Sequence, residues 1–182
     1  RTRMVRTYPT HTLKDACGVG AAIQEKNAGL PFDRVLLAKA LGTTPASSSF
    51  TMKLNSSIKY GLTRGGYNDD RIVLTPRGGA IVAPQRSGEW RQALLEAALE
   101  PELFRRFFQM LDGKRVPEDT YAQNMLQREF GVITKLTDEC LQIIKSNGLY
   151  VGILGEVGGS LYVSLAGAHL SEGVTDIYAQ SE

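Results

Sequence analysis

Apolar residues fall at helical spacing through most of this 182-residue chain, and the pattern breaks mainly at Gly, Pro and Asn. Residues 12–27 (TLKDACGVGAAIQEKN) predict a first helix, N-capped at Thr10 or Thr12 and stopped at Gly29. Gly18 and Gly20 inside it each cost about 1 kcal/mol relative to Ala, so either a neighbour packs very close there or the helix is a weak one. Residues 33–40 predict a short second helix starting at Phe32 or Asp33. The turn Gly42-Thr43-Thr44-Pro45 leads into a third helix over 46–60, with Pro in its first turn. Phe50, Leu54 and Ile58, at i, i+4 and i+8, give that helix one buried stripe, and Gly61 ends it. The β-prone runs 62–64 and 71–74 flank the Gly/Asn/Asp-rich residues 65–70 and predict a hairpin.

The second half says much the same again. A linker is predicted at Arg86-Ser87-Gly88, and residues 89–100 (EWRQALLEAALE) are strong helix formers. Pro101 either starts a further helix through Met110 or kinks the one it interrupts. Helices over 120–130 and 137–146, the latter stopped at Asn147-Gly148, precede a hairpin of 149–154 and 160–165 around Gly155-Glu156-Val157-Gly158-Gly159. Residues 117–149 thus echo residues 31–62. Both stretches open Pro-x-Asp and close on Ile-Lys, a short gap and Gly-Leu, at an offset of 86 positions at the Pro and 87 at the Leu. This predicts a duplication and two small units, 1–86 and 89–182. The tail beyond Ala168 carries little pattern.

Charge separates the two units. Residues 1–91 hold 14 Lys and Arg against 6 Asp and Glu, whereas residues 92–182 hold 7 against 13. A net charge of +2 therefore hides a basic half joined to an acidic one, which points to different partners for each. Composition is that of a folded globular protein, and no apolar run approaches a membrane span. The basic N-terminus lacks the apolar core of a signal peptide, so the expected location is cytoplasmic. Cys17 and Cys140 lie in different halves and are expected as buried thiols.

Motifs for catalysis are missing: there is no Gly-x-x-x-x-Gly-Lys, His-Glu-x-x-His or Gly-x-Ser-x-Gly, and His11 and His169 stand near opposite ends. No catalytic residue, metal ligand or cofactor is expected.

Three helices, the last two split by a tight turn, followed by a hairpin make a winged helix-turn-helix arrangement. Phe50-x-x-x-Leu54, Tyr60-Gly61-Leu62, the hairpin and Leu74-Thr75-Pro76-Arg77-Gly78 resemble the winged-helix domains of bacterial and archaeal regulators. The resemblance covers residues 10–84 well and 92–168 more loosely, since Val163-Ser164-Leu165-Ala166-Gly167 only echoes the Leu-Thr-x-x-Gly ending. The whole chain resembles tandem winged-helix proteins of prokaryotes that carry no assigned activity. This implies a mainly α fold with small β-hairpins (α+β), two winged helix-turn-helix units in tandem.

The chemistry of the first unit then suggests double-stranded DNA. With Phe50, Leu54 and Ile58 inward, the third helix turns out Ser48, Ser49, Thr51, Met52, Lys53, Asn55, Ser56 and Lys59. Small hydroxyls permit close approach to a major groove, Asn55 suits an adenine edge, Lys53 suits a guanine or a phosphate, and Lys59 suits a phosphate. The wing adds Arg64, Tyr67, Asn68 and Arg71, with Arg77 beyond. Between Asp33 and Asp69 there is no acid, while Arg34, Lys39, Lys53, Lys59 and Arg64 supply positive charge for counterion release. Asp138 and Glu139 at the start of the corresponding helix of the second unit would repel phosphate, with Thr137 as that helix's cap. The second unit is expected to mediate assembly, with Phe104, Phe107, Phe108 and Leu111 as core and in part a homodimer seam. The expected function is a transcriptional regulator or DNA-associated accessory protein. The alternative is a protein–protein adaptor of tandem winged-helix type that binds no DNA.

Overall fold

The computed structural model describes residues 5–168, so His169 and the tail lie outside the described residues. The fold is mainly helical with small antiparallel sheets, an α+β arrangement. Helix α1 (Leu13–Asn27) is capped by Thr12, whose hydroxyl accepts from the Asp15 amide at 3.2 Å. Strand β1 (Phe32–Asp33) leads into α2 (Arg34–Ala40), capped by the Asp33 carboxylate on the Leu36 amide. Helix α3 (Ser48–Lys59) starts two residues later than predicted. Ser47 caps it through the Phe50 amide, which leaves Pro45 in the preceding turn.

Strands β2 (Thr63–Arg64) and β3 (Arg71–Leu74) form the predicted hairpin. The sheet order is β1-β3-β2, with Phe32 opposite Ile72 and Thr63 opposite Leu74. Helix α4 (Pro76–Val82) has Pro at its start and Thr75 as cap. Gly20 is where α1 meets these elements: a Cβ there would stand 3.0 Å from Leu74 Cδ2 and 3.6 Å from Val82 Cγ1. That close approach explains a glycine inside a helix.

Helix α5 (Glu89–Leu99) packs on α4 across residues 86–88. These form a tight turn, in which the Glu89 carboxylate accepts from the Gln85 and Arg86 amides. Pro101 caps α6 (Glu102–Leu111) without kinking it, and α7 (Asp119–Phe130) and α8 (Thr137–Tyr150) follow, joined by a 3₁₀ turn over Thr134–Leu136. Thr137 is the first residue of α8 and not its cap; its hydroxyl donates to the Thr134 carbonyl. Strands β4 (Leu154–Val157) and β5 (Ser160–Val163) close the chain around Gly158 and Gly159, both at positive φ. The second strand of this hairpin lies where predicted, whereas the first starts at Leu154 because α8 takes up the residues to Tyr150.

α8 runs straight through Asn147-Gly148, the predicted stop. The Ile-Lys…Gly-Leu echo thus marks different places in the two halves. The structural counterpart of Gly61 is Gly152: each follows a helix C-cap, Tyr60 or Val151, at φ near +75°. Element order does repeat. Residues 112–116 bridge to β5 much as β1 pairs with β3, so α1-β1-α2-α3-β2-β3 is matched by α6, this segment, α7, α8, β4 and β5.

Two apolar clusters fill the interior. The smaller gathers Val19, Ile23, Phe32, Phe50, Leu54 and Ile72 under α2, α3 and the sheet. The larger runs from Tyr8, Leu13 and Cys17 through Tyr60 and Ile81 to Trp90, Phe107 and Val163, so it crosses the 86–89 junction and joins both halves. Phe104, Phe107 and Phe108 are 0% exposed and Leu111 nearly so. The expectation of a dimer seam there is corrected. Each such ring buried within the chain stabilises it by about 1.5–3 kcal/mol and offers no face to a second copy. Both cysteines are buried and outside any disulfide; burial, and then Glu139, pushes the Cys140 thiol up to about 12. Among the described residues no helix is long and apolar enough to cross a membrane.

Candidate nucleic-acid interface

Helix α3 turns Phe50, Leu54 and Ser57 inward. Two four-residue steps rotate a side chain by about 80°, so Ile58 does not complete the Phe50–Leu54 stripe. It is 39% exposed, and Ser57 takes the inner position, its hydroxyl 2.7 Å from that of Thr63. Ser56 also departs from its expected outward place. It is buried beneath the N-terminal segment, where its Oγ accepts from the His11 amide and lies 3.3 Å from Thr10 Oγ1. The remaining exposed stripe is Ser48, Met52, Asn55 and Lys59, at steps of four, three and four, with Ser49 beside it.

The other expected contacts fall into two groups. Arg64, Tyr67, Asn68 and Arg71 are exposed on the hairpin. Arg34, which sequence reasoning counted only as charge, organises that hairpin: its Nε donates to the Asp69 carbonyl and its guanidinium lies 5.4 Å from the Tyr67 ring centre. Asp69 folds its carboxylate onto the Gly66 amide at 2.8 Å. The Asp69 carboxylate is thereby directed at its own backbone, while Asp70 beside it is exposed.

Three expected contacts are already engaged. Thr51 donates its hydroxyl back to the Ser47 carbonyl. The Lys59 ammonium donates to the Tyr8 carbonyl at 3.4 Å; burial, and then the charge of Arg6, lowers its pKa. Arg77 donates to the Tyr60 carbonyl and pairs with Glu100 at 3.1 Å, which ties α4 to the end of α5. Lys53 is half-buried on the flank facing α1, where its charge is felt by His11.

The N-terminal segment is what the sequence pattern missed. Arg6 Nε and the Tyr8 hydroxyl both donate to Glu139 Oε2, at 3.0 and 2.6 Å. Burial, and then that carboxylate, pushes the Tyr8 hydroxyl far above its ordinary range. Glu139, expected to repel phosphate, is thus engaged by Arg6 and Tyr8 while its side chain stays 36% exposed, and Asp138 beside it is exposed. The matching helix α8 has half of its residues buried, and its exposed stripe, Asp138, Gln142, Ser146 and Leu149, holds a carboxylate and no cation.

A groove of about 980 Å³ lies beside the interface, between Ile58, β2, α4 and α5. It carries Arg64, Arg77 and Arg86 together with Glu89 and Glu96. Among the described residues no His, Cys, Asp and Glu side chains gather in a way fit for a metal ion. Comparison with protein-family models, with curated proteins and with solved structures finds no match to this chain.

Proposed function

We propose that this chain is a non-enzymatic DNA-binding protein, a regulator or DNA-associated accessory, built of two winged-helix units of which the first reads double-stranded DNA. Helix α3 docks in the major groove and the β2–β3 wing lies on the sugar–phosphate backbone. One observation carries the reading. An exposed helix face without a carboxylate is framed by an exposed hairpin bearing Arg64 and Arg71, inside a stretch from 34 to 68 with five cations and no acid. The β1-β3-β2 sheet, with β1 before and the β2–β3 hairpin after the α2–turn–α3 pair, supports the winged-helix assignment. The acidic half holds the reading unit in place and is the side that meets a protein partner or a second copy.

The test is a fluorescence-anisotropy titration of random duplex DNA with the intact chain. Four phosphate contacts would weaken binding by about a hundredfold between about 50 and about 200 mM salt. Replacing both Arg64 and Arg71 by Ala should lower the slope of log affinity against log salt by about 2. Absence of binding at the lower salt would overturn the reading. It would favour the adaptor instead, for which the groove of mixed charge between β2, α4 and α5 is the specific observation.

A further inference from the structure

The stripe that α3 presents is unusual in what it lacks. Guanine is read above all by a cation donating to O6 and N7, and cytosine by a carboxylate accepting from N4. The first three positions of the stripe, Ser48, Met52 and Asn55, hold neither. Its one cation, Lys59, is drawn back to the Tyr8 carbonyl, and Lys53 sits on the half-buried flank facing α1. What remains are two groups of a different kind. The Asn55 carboxamide is exposed, with one amino group and one carbonyl to offer. The Met52 thioether is 39% exposed one helical turn before it, on the same face. A carboxamide matches adenine, donating to N7 and accepting from the N6 amino group, and an apolar side chain matches the thymine methyl.

We infer that α3 selects A·T base pairs in the major groove, Asn55 pairing with an adenine edge and Met52 packing on the C5-methyl of a thymine. This rests on the DNA-binding reading above and narrows it to a substrate class. The flanking Ser48 and Ser49 hydroxyls, small and exposed, let the helix settle deeply enough for both contacts.

The experiment compares three duplexes of equal length with the intact chain at about 50 and about 200 mM salt: alternating dA-dT, alternating dA-dU and alternating dG-dC. The dA-dT duplex should bind about tenfold or more tighter than dG-dC. Uracil lacks only the C5-methyl, so dA-dU should lose part of that gain, about threefold to tenfold. The Met52→Ala variant should show no dT-against-dU difference. In the Asn55→Ala variant, replacing dA by 7-deaza-dA should have no effect, whereas in the parent it should weaken binding. Both side chains are exposed, and an unchanged melting temperature confirms that the variants are folded. Equal binding of dA-dT and dG-dC with a steep salt slope would overturn the A·T selection and leave DNA binding intact. An A·T preference indifferent to the methyl and to 7-deaza substitution would place the reading in the minor groove, and so would also overturn it. If no duplex binds at low salt, both readings fall together.

Discussion

At the scale of the residue, His11 shows how a lone histidine can belong to the scaffold. Its amide donates to Ser56 Oγ, its carbonyl accepts from the Tyr60 hydroxyl at 2.7 Å, and its Nδ1 lies 3.2 Å from Ser56 Oγ. Burial first, and the nearby charge of Lys53 second, hold its pKa below the ordinary 6.5; Asp15 opposes them weakly. The imidazolium is therefore disfavoured in the folded chain, and the unfolded chain takes up this proton first as pH falls. His11's contribution to stability is fully present above about pH 6.5 and is lost as pH drops through the folded value. Urea midpoints between about pH 7.5 and pH 5 should fall, and His11→Gln should flatten that fall. Equal slopes for parent and variant would mean that the ring titrates as if in water.

At the scale of the element, caps and turns were legible because they are local. Thr12 and Asp33, both among the expected helix starts, each satisfy an amide three residues on, a signal that needs no knowledge of the rest of the fold; Ser47 and Thr75 do the same at positions where no cap is expected. The outward stripe of α3 was partly legible for the same reason, since helical period alone separates Asn55 from Leu54. Two kinds of feature were not. Strand β1 is two residues long and exists only because β3 pairs with it, and the N-terminal segment that buries Ser56 has no periodicity to read. Helix α8 is the instructive case, because Asn147-Gly148 is a strong local stop that tertiary packing overrides. Asn147 is turned inward, and a Cβ on Gly148 would stand 2.5 Å from Leu154 Cγ and 3.2 Å from Phe108 Cε1. Helix propensity favours Gly148→Ala by about 1 kcal/mol, yet overpacking opposes it by about 1–3 kcal/mol. The variant should lower the urea midpoint; a raised midpoint would show that β4 yields easily and that the close approach imposes nothing.

At the scale of the whole molecule, opposite charge and repeated element order suggest two independent units, and the interior argues against independence. Helix α1 belongs to both apolar clusters, giving Leu13, Ala16 and Cys17 to one and Val19 and Ile23 to the other. Between the halves runs a buried chain of hydrogen bonds: the Leu13 amide donates to Asn147 Oδ1 at 2.8 Å, Asn147 Nδ2 donates to the Tyr60 hydroxyl at 2.9 Å, and that hydroxyl donates to the His11 carbonyl. Tyr60 closes the proposed reading helix and Asn147 lies in α8, so the reading helix is held by the acidic half. Asn147→Ala would leave the buried Leu13 amide and the Tyr60 hydroxyl each short of a partner, a loss of about 2–4 kcal/mol if neither finds water. A shared core also predicts one cooperative transition. Trp90 is the chain's single tryptophan and lies buried where the halves join, so its fluorescence and far-UV circular dichroism should trace the same curve in urea. Asn147→Ala should move both curves together to lower urea. Separation of the two curves in the parent would show that the halves unfold on their own, and separation only in the variant would identify Asn147 as the bond that makes them one.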